Sequence, residues 1–274
     1  MIGFGSDISI DAYRGAAIGL GNFDGLHLGH MRLIGALTRR ASELGVPAIV
    51  YTFSEHPRNV LQDQRGFALL IDAQKKRSLL AGASVDGVYF EKFDAQFAAQ
   101  SPEEFVRGTL VTRFGARLAV AGQNFRFGRG GEGDAGDLEG FGKKYGFEVE
   151  IVEPYYAGAP DKNPVSSSDV RSHIQAGRME NAAALLGRLY SLRGRAEFGR
   201  IVCGGGLSGV FWRDPPCLAP PAGAYAIYAR VRNRVFKGRA DASEKGFRFN
   251  LASGENLCGL HEAEIEIFFY KRLD

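Results

Sequence analysis

Residues 17–30 read Ala17-Ile-Gly-Leu-Gly-Asn-Phe-Asp-Gly-Leu-His-Leu-Gly-His30, an apolar run that passes through glycines to two histidines. Apolar residues then recur at three- and four-residue steps over residues 33–44, which predicts a helix that Gly45 ends. This order places the free N–H groups of a helix start beside a glycine turn, where an anion binds well. His27 and His30 lie one turn apart and can face the same ligand. The stretch therefore predicts a cradle for a nucleotide phosphate.

The composition is that of an ordinary globular protein, with 45% hydrophobic and 24% charged residues among 274. A net charge of +3 is too small to indicate a nucleic-acid partner but suits an anionic small ligand. Cys203, Cys217 and Cys258 form no CxxC pair, which argues against disulfides and a structural zinc site. We see no signal peptide and no apolar run near the ~20 residues of a membrane helix. We therefore expect a cytoplasmic protein with no membrane partner and no protein-held metal.

Short apolar segments alternate with helical patterns along the first part of the chain. Strands are predicted at residues 16–21, 46–53, 85–90, 117–121 and 147–153. Helices are predicted from residue 72 to 80, from the capping box at 101–104 to about 114, and up to 145. The alternation indicates an α/β domain with a parallel sheet, which binds ligands at the carboxyl ends of its strands. The loops at 22–30, 54–58 and 122–129 all follow strands, so we expect them to meet at one sheet edge.

The last third of the chain has a different character. Two short helices are predicted at residues 169–176 and 180–187, and we place a domain boundary near Tyr190. Prolines at positions 215, 216, 220 and 221 exclude a regular helix or central strand there. Strand patterns at 224–231 and 263–269 predict a small antiparallel β module.

Five blocks, in order, resemble motifs of the bifunctional riboflavin kinase/FAD synthetase family of prokaryotes. They are Gly21-Asn-Phe-Asp-Gly-Leu-His-Leu-Gly-His30 (HxGH), Thr52-Phe-Ser-Glu-His-Pro-Arg58 (TFxPHP), Gly122-Gln-Asn-Phe-Arg-Phe-Gly128 with Asp134 (the flavin-synthetase glycine loop), Val165-Ser-Ser-Ser-Asp-Val-Arg171 (SSTxIR) and Ala184-Leu-Leu-Gly-Arg-Leu-Tyr190 (LGRxY). Glu55 stands where the family usually has proline. The blocks cover roughly residues 16–190.

The resemblance implies a Rossmann-like α/β nucleotidylyltransferase domain over residues 1–190, followed by a small antiparallel β-barrel-like domain over residues 191–274. It implies adenylyl transfer from ATP to FMN, which gives FAD and pyrophosphate, with Mg²⁺ bridging the ATP phosphates. Because the FMN phosphate is already a dianion near neutral pH, the reaction needs in-line positioning and charge stabilisation rather than a strong general base.

In this chemistry we expect three groups of site residues. The catalytic group, which donates to phosphate oxygens, is His27, His30 and Arg171. The ATP-binding group is Gly21, Asn22, Phe23, Asp24, Gly25, Gly29, Asn124, Asp134, Ser166 and Ser167. The flavin-binding group is Phe53, His56, Pro57, Phe125, Arg126 and Phe127.

The C-terminal module departs from the family at one motif. The family's kinase module carries a Pro-Thr-Ala-Asn string that helps to bind the nucleotide and its metal, and residues 196–222 contain no such string. A glutamate is the kinase base in the family, and Glu262, Glu264 and Glu266 are the available candidates, none of which aligns clearly with it. We therefore predict a FAD synthetase with a degenerate kinase module and no riboflavin kinase activity.

Two other functions stay open at this point. One is a nucleotidylyltransferase that acts on another phosphorylated acceptor, which the changed residue Glu55 and the rebuilt stretch 196–222 favour. The other is a pseudoenzyme that binds flavin or nucleotide and has a regulatory role, which the atypical C-terminal module favours.

Overall fold

The computed structural model describes residues 3–4, 13–53, 57–61, 67–157, 163–202, 206–213, 217–243, 246–252 and 261–274. The chain divides into two compact units, Met1–Phe67 with Ala73–Val165 and Ala68–Asp72 with Ser166–Asp274. Within the described ranges, no helix is both long enough and apolar enough to cross a membrane.

The first unit is a six-stranded sheet in which every pair of strands is parallel. Its strands are β1 (Gly3–Phe4), β2 (Ala17–Leu20), β3 (Ala48–Phe53), β4 (Gly87–Glu91), β5 (Leu118–Gly122) and β6 (Glu148–Val152). Its helices are α1 (Leu28–Leu44), α2 (Pro57–Leu61), α3 (Ala73–Ala81), α4 (Ala95–Ala98), α5 (Pro102–Phe105) and α6 (Ala135–Tyr145), with a π-helical segment at Val106–Arg113 and a 3₁₀ turn at Arg129–Gly131.

The strand order is β1-β4-β3-β2-β5-β6, so the chain changes direction across the sheet at β2. Such a switch point leaves a crevice at the carboxyl ends of the strands, where open α/β sheets bind ligands. Because β3 and β5 flank β2, the loops after these three strands leave neighbouring strand ends. The strand order agrees with the prediction that the three loops share one sheet edge, although residues 54–56 of the second loop lie outside the described residues.

Two predicted helix ends are confirmed in atomic detail. Gly45 ends α1 in the left-handed conformation, with φ 65°, and Ser101 forms the expected capping box with Glu104. The helix predicted from the capping box to about residue 114 is not regular, however. It changes after Phe105 into the π-helical segment, which carries one more residue in each hydrogen-bonded turn.

The second unit contains two helices and a closed antiparallel barrel of six strands. The helices are α7 (Ser167–Gln175) and α8 (Met179–Leu186), and the strands are β7 (Tyr190–Val202), β8 (Gly206–Arg213), β9 (Gly223–Val231), β10 (Arg234–Ser243), β11 (Gly246–Leu251) and β12 (Glu262–Arg272). The strands follow the order β10-β11-β8-β7-β12-β9 around the barrel. The predicted antiparallel module is therefore present, with four strands beyond the two that the sequence pattern indicated.

Packing places residues 166–190 with the barrel. Val170 and Ile174 of α7 and Ala182 and Leu186 of α8 are buried in the same apolar cluster as the barrel interior. The compact units therefore divide after Val165, whereas the change in sequence character suggested a boundary near Tyr190. The assignment of functions to residues 1–190 and 191–274 stays a prediction.

Candidate functional site

The loop between β2 and α1, residues 21–27, has an unusual backbone. Phe23, Gly25 and Leu26 all have positive φ values, of 50°, 82° and 43°. Only the glycine adopts this region without cost, so the two other residues are strained unless their surroundings hold them. Phe23 and Leu26 are buried, at 0% and 1% exposure, and so anchor the loop in the core.

His27 ends this loop as the N-cap of α1. Its Nδ1 accepts the backbone N–H of His30 at 3.3 Å, which satisfies one of the free donors of the helix start. An accepting Nδ1 requires that the neutral imidazole carry its proton on Nε2, so Nε2–H is the donor of this ring. The two histidine rings stack with centroids 3.7 Å apart and planes inclined by 19°. The predicted pair is thus assembled at one helix start.

Gly21 and Gly29 lack a side chain at positions where an aromatic ring packs closely against the backbone. A Cβ at Gly29 would lie 3.1 Å from the His27 ring, and a Cβ at Gly21 would lie 3.0 Å from the Phe23 ring. Both distances are shorter than ordinary side-chain contacts. Both glycines belong to the predicted ATP-binding group, and their lack of a side chain also lets the two rings pack.

The structure adds a residue that the sequence reasoning missed. Lys76 of α3 is buried, and its Nζ donates to the carbonyl oxygen of Asn22 at 2.8 Å, with longer contacts to Thr52 Oγ1 at 3.4 Å and the Phe53 carbonyl at 3.5 Å. Burial lowers the pKa of Lys76 to about 8, and the buried carboxylate of Asp24 opposes that shift. A signal was available, because Lys76 and Leu80 form the buried face of α3 at an i, i+4 spacing.

The glycine-rich loop after β5 turns tightly and leads into α6. Phe125 N–H donates to the Gly122 carbonyl at 2.9 Å, which leaves Asn124 exposed at the turn. Asp134 is the N-cap of α6 and forms a capping box with Asp137, and Arg126 lies 3.6 Å from the Asp134 carboxylate. These contacts give Arg126 and Asp134 local structural roles, while their roles toward flavin and ATP stay predictions.

The three phenylalanines of the predicted flavin-binding group pack with the core. Phe127 is 6% exposed and stacks with Phe125 at a centroid distance of 5.5 Å. Phe53, at the end of β3, makes edge contacts with Phe93 and Phe97 at 5.1 and 5.5 Å. Phe53 and Phe125 are only partly buried and therefore retain surface for a ring ligand.

Two predicted flavin contacts come directly after β3. Pro57 begins α2 and is partly buried. His56 lies outside the described residues, so its role stays a prediction.

Three predicted site residues belong to the second unit. Ser166 caps α7 by accepting the N–H of Asp169 at 3.2 Å, and Ser167 is the first residue of that helix. The Arg171 guanidinium donates to the carbonyl oxygen of Ala68. Their participation in the phosphate site stays a prediction.

Among the described residues, no group of three or more His, Cys, Asp or Glu side chains is arranged to hold a metal ion. The assembled features of the first unit are instead a stacked histidine pair, a helix start and a strained loop at the switch point of a parallel sheet. This combination is suited to binding the phosphates of a nucleotide.

Comparison with known proteins decides the family. A family model described as FAD synthetase matches residues 9–169, more than half of the chain. The chain belongs to the FAD synthetase family. It is therefore a nucleotidyltransferase, and the match covers His27, His30 and the loop after β5 but ends before Arg171.

Individual relatives agree with this assignment over most of the chain. It is 31% identical over 237 residues to a bifunctional riboflavin kinase/FMN adenylyltransferase of Haemophilus influenzae, covering 85% of this chain and 75% of the relative. The protein of the same description from Listeria monocytogenes is 34% identical over 226 residues, covering 81% and 70%. The one from Bacillus subtilis is 31% identical over 280 residues, covering 94% and 84%.

A crystal structure described as a macrolide-efflux protein from Streptococcus pneumoniae has a similar fold. Its TM-score is 0.84 with 24% identity, over 100% of this chain and 91% of that one. At this identity the likeness concerns the fold alone.

Proposed function

We propose that the chain transfers the adenylyl group of ATP to FMN, forming FAD and pyrophosphate. The observation that carries the proposal is the histidine pair stacked at the start of α1, where Nδ1 of His27 accepts a backbone N–H and thereby fixes its ring proton on Nε2. Membership of the FAD synthetase family supports the choice of ATP and FMN as substrates.

In the proposed reaction a phosphate oxygen of FMN attacks the α-phosphorus of ATP. A new P–O bond forms as the bond from the α-phosphorus to the bridging oxygen of the β-phosphate breaks, and pyrophosphate leaves with that electron pair. The attacking oxygen carries no proton near neutral pH, so no general base is needed. His27 and His30 donate to the phosphate oxygens, and the helix dipole of α1 stabilises the negative charge that spreads over them.

Mg²⁺ enters this proposal as part of the nucleotide substrate. The ATP phosphates and water would hold the ion, which would neutralise phosphate charge.

We further propose that the barrel has no riboflavin kinase activity. The strands β7 and β8 pair as far as Val202 and Gly206, so only residues 203–205 connect them. Strand β8 also pairs with β11 on its other side, which commits residues 206–213 to the barrel. This ladder occupies the region in which the family's Pro-Thr-Ala-Asn string is expected, and the string is missing from the sequence.

Glu266, one of the three glutamate candidates for a kinase base, supports the same conclusion. The Glu266 carboxylate accepts from Ser191 Oγ at 2.7 Å and from Arg230 at 2.5 Å, so both of its oxygens are engaged within the barrel wall. Glu262 and Glu264 are exposed on β12.

The test is a pair of incubations, one with FMN and ATP and one with riboflavin and ATP, followed by chromatography of the flavins. The proposal predicts FAD from FMN and no FMN from riboflavin. Absence of FAD would refute the synthetase assignment, and FMN formed from riboflavin would refute the loss of kinase activity.

A further inference from the structure

Lys76 is a buried lysine for which the proposed chemistry assigns no role. It lies on α3, outside the five sequence blocks that resemble family motifs. Its ammonium group joins two segments of the site, because it donates to the carbonyl of Asn22 in the 21–27 loop and contacts Thr52 and Phe53 at the end of β3.

The Asn22 carbonyl, to which Lys76 donates, lies in the first part of a strained loop. Asn22 precedes Phe23, whose φ of 50° is unfavourable for a residue with a side chain. The same Asn22 carbonyl accepts a second hydrogen bond from Thr52 Oγ1 at 3.1 Å. Strained backbone persists only where surrounding contacts determine it, and these two donors supply such contacts.

The charge of Lys76 suits a site for phosphates. The Asp24 carboxylate, 4% exposed, is the charged group that acts on Lys76 from the loop. Among the described residues, its hydrogen-bond partners are a hydroxyl and two carbonyl oxygens. A buried ammonium is screened less by water than an exposed one, so its attraction for an anionic ligand extends further.

We propose that Lys76 is a positioning residue for adenylyl transfer, which fixes the 21–27 loop against the end of β3 so that His27 meets the phosphate in the reactive geometry. This inference rests on the proposed function. It extends that function because it joins the predicted ATP loop and the predicted flavin segment through one side chain.

The test is Lys76→Met, which keeps a long side chain but removes the charge and the donors. We expect faster amide hydrogen exchange in the peptide covering residues 20–30, and a loss of about 10²-fold in kcat/KM for FAD formation, mainly through kcat. Lys143→Met makes the same chemical change at an exposed position of α6 and should alter neither quantity.

Thr52→Val provides a second variant if Lys76→Met does not fold. It removes the other donor to the Asn22 carbonyl with little change of shape, and we expect faster exchange over residues 20–30 with a smaller loss of activity. Lys76→Arg, which keeps the charge, should restore part of the exchange protection.

Three outcomes would overturn the inference. They are unchanged exchange and activity in Lys76→Met, faster exchange over the whole first unit rather than in the loop, and a Thr52→Val variant that behaves like the wild type. If the wild-type chain makes no FAD, the proposed function fails. The exchange measurement then still decides whether Lys76 fixes the loop.

Discussion

Nδ1 of His27 accepts the backbone N–H of His30 at 3.3 Å, while the two rings stack with centroids 3.7 Å apart. One side chain thus caps the helix and carries, on its other nitrogen, the N–H that the proposed reaction uses as a donor. Substitutions can separate these two tasks.

His27→Asn keeps an N-cap acceptor but removes the imidazole Nε2–H. We expect a thermal midpoint near that of the wild type and a loss of about 10²-fold in kcat, because one donor to the transition state is missing. His27→Ala should lose the same activity and about 1 kcal/mol of unfolding free energy as well. FAD formation and thermal unfolding are the measurements.

Ser101→Ala is the matched control for the cap. It removes the capping box of α5, so we expect a loss of about 1 kcal/mol in stability with kcat unchanged. Full activity in His27→Asn would contradict the assigned donor.

Gly29→Ala should displace the His27 ring, since the added Cβ would lie 3.1 Å from it. We expect kcat/KM to fall roughly tenfold or more, because catalysis is sensitive to small displacements of a side chain that positions the substrate. Gly35→Ala is the control in the same helix, where a Cβ meets nothing within 4 Å. It should stabilise the protein by about 0.5–1 kcal/mol and leave the rate unchanged. Equal rates for the two variants would contradict the packing argument.

The pKa of Lys76, lowered to about 8, predicts opposite effects of pH on activity and on stability. As the pH rises through 8 the ammonium loses its proton, and we expect kcat/KM to fall. Between 8 and the ordinary value of 10.5 the unfolded chain binds more protons than the folded chain. The stability penalty of this residue is therefore complete below 8 and disappears as the pH approaches 10.5.

The measurements are kcat/KM and the thermal midpoint on either side of pH 8, for the wild type and for Lys76→Met. The variant should lack the alkaline fall in activity. An identical pH profile in both proteins would assign that fall to another group.

The α/β half was predictable because its signals are local and periodic. Buried runs such as residues 48–53 mark the parallel strands, and Gly45 and Ser101 mark helix ends. The order of those elements was sufficient to place three loops after parallel strands, whereas the pairing of the strands shows which of them are neighbours.

Much of the barrel was not predictable, because its glycines resemble loop residues. A Cβ at Gly194 would lie 2.0 Å from the Trp212 carbonyl oxygen, and one at Gly209 would lie 2.5 Å from that of Glu197. These glycines occur inside strands because neighbouring backbone passes close to them. Only the long-range pairing of β7 with β8 shows that these glycines belong to strands.

The sequence predicted the residue types of the site but not the buried side chain that holds its loop in place. The histidine pair follows from the motif. The hydrogen bond to the Asn22 carbonyl, in contrast, comes from a lysine some fifty residues further along the chain. A lysine in an otherwise amphipathic helix is usually read as solvated, and only its spacing from Leu80 indicates burial.

The most direct test follows the phosphorus atoms of ATP. FMN or riboflavin is incubated with the protein and with ATP labelled at either the α- or the γ-phosphate, and the label in the flavins is measured. The account predicts label in FAD from α-labelled ATP with FMN, and no flavin label from γ-labelled ATP with riboflavin. The absence of α-label from FAD would contradict adenylyl transfer to FMN, and γ-label in FMN would show that the barrel is a working kinase.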